Sequence, residues 1–229
     1  MKTAIVTGAS GNLGQAVVNK FLAEGFRVIG TVNHSEPAKI NLNNPNFEEV
    51  AVDLMEEPKA KEFVEAVISK YKTIDVAILT VGGFASGKVT ETSTADMMKQ
   101  YRLNFETAYN VARPGFVQMI QQGNGRIFII GSRPGLDAKS GKGMVAYGLA
   151  KSLIFRLAEL MNDEAKGLNV VTSVVVPSTI DTPQNRKAMP DAKFDNWVKP
   201  EAIADVIYFH CTPEGAILRE PVIKVYGNA

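Results

Sequence analysis

The sequence predicts an α/β fold, a doubly wound parallel sheet with helices on both faces, and three observations carry that prediction. Short β-branched apolar runs alternate with longer amphipathic stretches along the whole chain. The apolar runs are nearly continuous, as strands covered on both faces require. At 229 residues the chain suits one large domain over 1–229 better than two small ones.

The first strand is expected at Ala4–Thr7, where a β-branched run stops at a glycine-rich turn and leads into a helical pattern near 13–24. Arg27–Val32 and Glu49–Val52 follow as the second and third strands, with a helix near 58–71. Asp75–Thr80 is the fourth strand, before one long helical pattern at 94–121. Arg126–Ile130 and Val170–Val176 flank a helix near 144–165; a helix at 200–211 and a strand at Val222–Tyr226 close the chain. Residues 177–199 break the rhythm with Pro177, Pro183, Pro190, several polar residues and the sole tryptophan, Trp197. An irregular stretch that long reads as a lid or binding loop, expected at about 178–199.

Composition narrows the function classes. Lys and Arg total 25 against 24 Asp and Glu, so no basic surplus calls for nucleic acid or an anionic membrane. No window approaches the ~18 consecutive apolar residues of a membrane span, and the N-terminal run is too short for a signal core. Two histidines and a single cysteine, Cys211, give no recognisable metal spacing. A lone cysteine fits a reducing, cytoplasmic setting.

The turn Thr7-Gly8-Ala9-Ser10-Gly11-Asn12-Leu13-Gly14 joins the first strand to the first helix. Glycines at 8, 11 and 14 permit a tight turn, a close backbone approach to a pyrophosphate and tight helix–strand packing; the helix N-terminus then offers N–H groups to the anion. In this position it marks a Rossmann-type dinucleotide site. An NAD site usually places an acid ~20 residues further on; here the sequence reads Thr31-Val32-Asn33-His34-Ser35, with no acid before Glu36. Asn33 and His34 can donate to a 2′-phosphate, so NADP(H) is slightly favoured over NAD(H). Asp53 and Leu54, after the third strand, lie at the adenine end, although a solvated loop acid explains Asp53 equally well.

Tyr147-Gly148-Leu149-Ala150-Lys151 places a phenol and an ammonium on one helix face. A lysine charge beside a tyrosine is expected to lower the phenol pKa towards a working range. Alone, such a pair is commonly a surface pair. Ser132, after the fifth strand, stands at the carboxyl edge where open sheets bind ligands, and it can hydrogen-bond a developing oxyanion. Asn104, an amide inside a helical pattern, is either a partly exposed polar residue or one holding a water or backbone group.

Together these residues resemble the short-chain dehydrogenase/reductase family across essentially the whole chain. The resemblance implies a catalytic tetrad of Asn104, Ser132, Tyr147 and Lys151, with Tyr147 moving the proton and Lys151 also holding ribose hydroxyls. Leu79-Thr80-Val81-Gly82 stands where the family has Asn-Asn-Ala-Gly, keeping only the glycine, and the resemblance implies that Val81, Gly82 and the following Gly83 bind cofactor. Pro177-Ser178-Thr179-Ile180-Asp181-Thr182 stands where the family binds the nicotinamide carboxamide. The commonest branch would have glycine at Asn12. Ala77–Gly87 and Val176–Pro190 are similar to segments of the dihydropteridine reductase branch, which implies a flat heteroaromatic substrate near Phe84 and Trp197. That branch lacks Ser132 and Asn104, its NADH-selecting acid falls at Val32, and two extra residues lie here around Lys139–Gly143. The retained serine keeps a carbonyl reductase or alcohol dehydrogenase, acting on a small ketone or 3-oxoacyl group, as the alternative. A non-catalytic dinucleotide sensor is the third reading. The family resemblance also implies a homodimer or homotetramer through helices 94–121 and 144–165.

Overall fold

The computed structural model describes residues 1–33 and 42–228. Seven strands form one sheet: β1 (Thr3–Thr7), β2 (Arg27–Val32), β3 (Phe47–Ala51), β4 (Val76–Leu79), β5 (Asn124–Ile130), β6 (Asn169–Pro177) and β7 (Val222–Val225). Their order is β3-β2-β1-β4-β5-β6-β7, and every neighbouring pair is parallel. The chain winds outward from β1 to β3, then returns to start β4 on the other side of β1. A crevice therefore opens at the carboxyl ends of β1 and β4, the switch point where such sheets take ligands.

Alternation along each strand divides the core into two layers. Ile5, Ile29, Ala77, Ile127, Ile129 and Val174 meet α2 (Glu57–Tyr71), α4 (Thr107–Gln122) and α6 (Val145–Glu164). Ala4, Val6, Val28, Ile78, Phe128 and Val175 meet α1 (Asn12–Ala23) and α8 (Pro200–Phe209). Period-two strands and helices with one apolar stripe satisfy each other on both sides. The edge strand β3 keeps Glu49 and Ala51 exposed. Among the described residues, no helix is long and apolar enough to cross a membrane.

Three stretches differ from the sequence reading. The helix expected at 94–121 is α3 (Thr94–Tyr101), a π-helical segment Arg102–Glu106, and then α4. A π turn inserts one residue per turn and rotates the helix beyond it, a feature often found at functional sites. The third strand runs Phe47–Ala51, starting two residues and ending one residue earlier than expected. Residues 177–199 are largely ordered: they contain α7 (Pro183–Ala188) and a 3₁₀ turn at Phe194–Asn196, and a parallel bridge pairs Ile180 with Val198. A short helix, α5 (Arg133–Leu136), also follows β5.

Candidate active site

The turn between β1 and α1 is shaped by its glycines. Gly8 takes φ +63°, and its carbonyl accepts the Gly11 N–H at 3.0 Å. A Cβ on Gly14 would lie 2.1 Å from the Gly8 carbonyl oxygen, so only glycine lets α1 start this close to β1. Gly11 caps α1 without a side-chain hydrogen bond, which leaves the first-turn N–H groups for an outside acceptor. The Thr31 hydroxyl accepts the Gly8 N–H at 3.3 Å, and Thr80 Oγ1 donates to the Thr7 carbonyl at 2.6 Å. The turn is thus braced from β2 and β4.

A cleft of about 670 Å³ runs along the carboxyl edge of the sheet. It brings together Gly8, Ser10, Gly11, Asn12, Leu13, Gly14, Asn33, Asp53, Leu54, Val81, Gly82, Ile180 and Thr182 from the sequence reading. Residues 31–33 add no carboxylate to its wall; His34 lies outside the described residues. Asp53 Oδ1 accepts the Met55 N–H at 2.9 Å, a local turn that shapes its own loop. The glycine cradle, the free end of α1 and the cleft beside them fit a dinucleotide.

At the other end, Asn104 is fully buried within the π segment. Its Nδ2 donates to the Gly83 carbonyl and to Gln100 Oε1, both at 2.9 Å, while its Oδ1 accepts the Gly83 N–H at 3.0 Å. Of the two sequence readings, holding a backbone group is the one observed. A Cβ on Gly82 would meet Asn104 Oδ1 at 2.7 Å and Lys151 Nζ at 3.1 Å, so amide and amine converge on this turn.

Lys151 is buried at 4% exposure, and its Nζ donates to the Ile130 carbonyl at 2.7 Å. Burial lowers the ammonium from 10.5 to about 8. Tyr147 lies one turn earlier on α6, half-buried; burial raises its phenol above the ordinary value, and Ser132 acts in the opposite direction. This corrects the sequence expectation of a lysine-lowered phenol: desolvation governs Tyr147, and Lys151 is held at the end of β5. Ser132 is buried and caps α5, its Oγ accepting the Gly135 N–H at 3.3 Å. That contact uses a lone pair and leaves the hydroxyl proton to donate.

Phe84 is 65% exposed, and its ring meets Tyr147 edge to face, with centroids 5.4 Å apart. Behind it the rim is pinned: the Gly87 N–H donates to the Gly143 carbonyl at 2.7 Å and the Val145 N–H to the Gly87 carbonyl at 3.1 Å. The extra residues around Lys139–Gly143 therefore border the Phe84 loop. Trp197 packs on Phe194 at 4.8 Å, and Phe194 in turn lies under Arg186 at 4.7 Å. Its ring contact is thus within the 178–199 segment rather than with Phe84. Thr179 accepts the Val198 N–H through its carbonyl, and Thr182 caps α7, its Oγ1 accepting the Asn185 N–H at 3.1 Å. Pro177 ends β6, directing these residues over the cleft.

The sequence reading passed over two residues that shape this region. Gln184 reaches across the cleft mouth, its Oε1 accepting from Asn12 Nδ2 at 2.9 Å. Asn110, buried in α4, donates from Nδ2 to the Leu54 carbonyl at 2.9 Å. The available signal was a second amide inside an apolar helical pattern, six residues after Asn104.

Comparison with known proteins accords with this geometry. Residues 2–193 match the family model described as short chain dehydrogenase. The chain is 29% identical over 211 residues to a dihydropteridine reductase of Dictyostelium discoideum, covering 90% of this chain and 86% of that protein. It is 25% identical over 244 residues to a 3-oxoacyl-(acyl-carrier-protein) reductase of Thermotoga maritima, covering 99% and 97%. Among solved structures, ElxO with NADP bound superposes with a TM-score of 0.89 at 22% identity, covering 99% of this chain and 97% of that one.

Proposed function

The chain belongs to the short-chain dehydrogenase/reductase family of oxidoreductases, and we propose that within it the protein is an NADPH-dependent reductase of a flat, pteridine-like heteroaromatic. The observation that carries this reading is the exposed Phe84 ring set edge-on to Tyr147, a platform beside a proton donor. The dihydropteridine reductase among the relatives supports it. The absence of a carboxylate among residues 31–33 supports NADP(H) over NAD(H).

The dinucleotide, when bound, supplies the hydride. This chain supplies placement and the proton. The first-turn N–H groups of α1 would hold the pyrophosphate, and Val81, Gly82, Gly83, Pro177, Thr179, Ile180 and Thr182 would hold the nicotinamide end. Asn104 fixes the Gly83 turn from below. Tyr147 gives its phenolic proton to the reduced substrate. Lys151, on the same face of α6 and tied to the end of β5 through the Ile130 carbonyl, would bind ribose hydroxyls. Buried surroundings strengthen that interaction. Trp197 contributes by stiffening the lid over 178–199, through Phe194 and Arg186.

A second reading rests on Ser132. Its hydroxyl stands at the carboxyl edge beside Tyr147, with which it hydrogen-bonds, where it can serve the oxygen of a ketone or 3-oxoacyl carbonyl. The 3-oxoacyl reductase among the relatives is in keeping with it. NADPH oxidation with quinonoid dihydropterin, set beside simple ketones and 3-oxoacyl thioesters, separates the two; no turnover of the pterin removes the first. A protein that binds NADPH yet turns over none of them is the sensor. The exposed apolar residues Val117 on α4 and Leu153 and Leu160 on α6 support pairing with a symmetry mate. A monomeric mass by light scattering ends that proposal.

A further inference from the structure

We propose that Asn110 is a positioning residue for the adenosine half of the dinucleotide, acting through the backbone of residues 53–55. The inference rests on the dinucleotide reading of the cleft. Asp53, Leu54 and Met55 form the cleft wall beyond β3, on the far side of the glycine turn from Tyr147. Bonds within the loop fix its curl: Asp53 Oδ1 accepts the Met55 N–H at 2.9 Å, and the Asp53 carbonyl accepts the Glu56 N–H at 3.3 Å. Neither bond ties the loop to the rest of the fold. Its start is anchored to β2, where the Val52 N–H donates to the Val32 carbonyl at 3.0 Å. Its middle is anchored by Asn110, 5% exposed, across 56 positions of sequence.

The same helical run carries the matching anchor for the other half of the cleft. Asn104 clamps Gly83 from both sides, Thr107 lines the cleft between them, and Asn110 takes Leu54. Two buried amides on one run thus set the spacing of two loops, one at the nicotinamide end and one at the adenosine end. The Asn104–Gly83 bonds are part-buried and the Asn110–Leu54 bond is buried, so losing Asn110 leaves a buried carbonyl unpaired and its loop free to move. A displaced wall weakens contacts to the adenosine without touching the reacting atoms.

Three probes read the effect: ADP-ribose, nicotinamide mononucleotide and NADPH. Asn110→Ala is expected to weaken ADP-ribose binding and raise the KM for NADPH by about 5–20-fold, the loss expected from one buried hydrogen bond. kcat and affinity for nicotinamide mononucleotide stay at the wild-type values. Asn110→Asp keeps the shape but sets a carboxylate against the Leu54 carbonyl at neutral pH; affinity for ADP-ribose should recover as acid pH protonates it and restores a donor. A purely structural role moves thermal stability but gives neither the split between the two half-cofactors nor the recovery in acid. Equal ADP-ribose affinity in wild type and Asn110→Ala overturns the proposal and leaves the dinucleotide cleft standing. If Asn110→Ala does not fold, an Asn110→Asp affinity that fails to recover in acid overturns it instead. Failure of the wild type to bind ADP-ribose or NADPH removes the cleft reading, and this inference with it.

Discussion

Replacing Lys151 with methionine removes a buried ammonium while keeping most of the stem that packs beneath the active site. In the folded chain its pKa is lowered by burial from 10.5 to about 8. Between those two values the unfolded chain binds more protons than the folded one, so the free energy of unfolding rises with pH across that window. The gap corresponds to about 3 kcal/mol of destabilisation, present in full below about pH 8 and gone above about pH 10.5. Methionine lacks that penalty but leaves the Ile130 carbonyl without its 2.7 Å partner, a loss of ~1–3 kcal/mol. The two effects nearly cancel at neutral pH. Urea unfolding of wild type and Lys151→Met, run at matched pH values without added cofactor, isolates the residue because all other groups titrate alike in both. The stability difference, wild type minus variant, should grow by about 3 kcal/mol from about pH 7 to about pH 10.5. Parallel curves would refute the reasoning and place that amine in water.

Three further substitutions probe the site. Tyr147→Phe should lower the steady-state rate by roughly 10²–10⁴, a general acid's usual share, with little change in NADPH affinity by fluorescence titration. Gly14→Ala puts a methyl 2.1 Å from the Gly8 carbonyl oxygen; α1 must shift away from β1, and both thermal stability and dinucleotide binding should fall. Val32→Asp introduces a carboxylate in the cleft wall where a ribose 2′-hydroxyl is expected, so the ratio of kcat/KM for NADH over NADPH should rise by about tenfold or more. An unchanged ratio would mean that the end of β2 does not face the ribose.

The sheet was legible because it is written locally. β1, β2 and β5 are rich in β-branched and apolar residues, as parallel strands covered on both sides tend to be. The glycine turn was legible for a steric reason, since position 14 admits nothing larger. β3 was harder to bound because, as an edge strand, it keeps Glu49 exposed and loses the continuous apolar signature. The π segment at Arg102–Glu106 has no signature of its own: Tyr101–Tyr109 reads as ordinary helix, and the partner of the Asn104 amide in that segment, Gly83, lies 21 residues away. The order within 177–199 was hidden for the same reason. Prolines at 183 and 190 look like breakers, yet Pro183 starts α7 behind its Thr182 cap, and the bridge from Ile180 to Val198 is a tertiary contact. Tyr147 and Lys151 were visible as a spacing, whereas their protonation depends on burial, which no spacing records.

The placement of a reduced nicotinamide against the phenol at the head of α6 decides whether this cleft is a reductase site. A crystal structure with NADPH bound tests it directly. The expected result is pyrophosphate on the first turn of α1, adenosine along residues 53–55, and the nicotinamide C4 facing the Tyr147 hydroxyl beneath Ile180 and Thr182. A dinucleotide whose phosphates lie away from the first turn of α1, or a ring turned away from Tyr147, would contradict it.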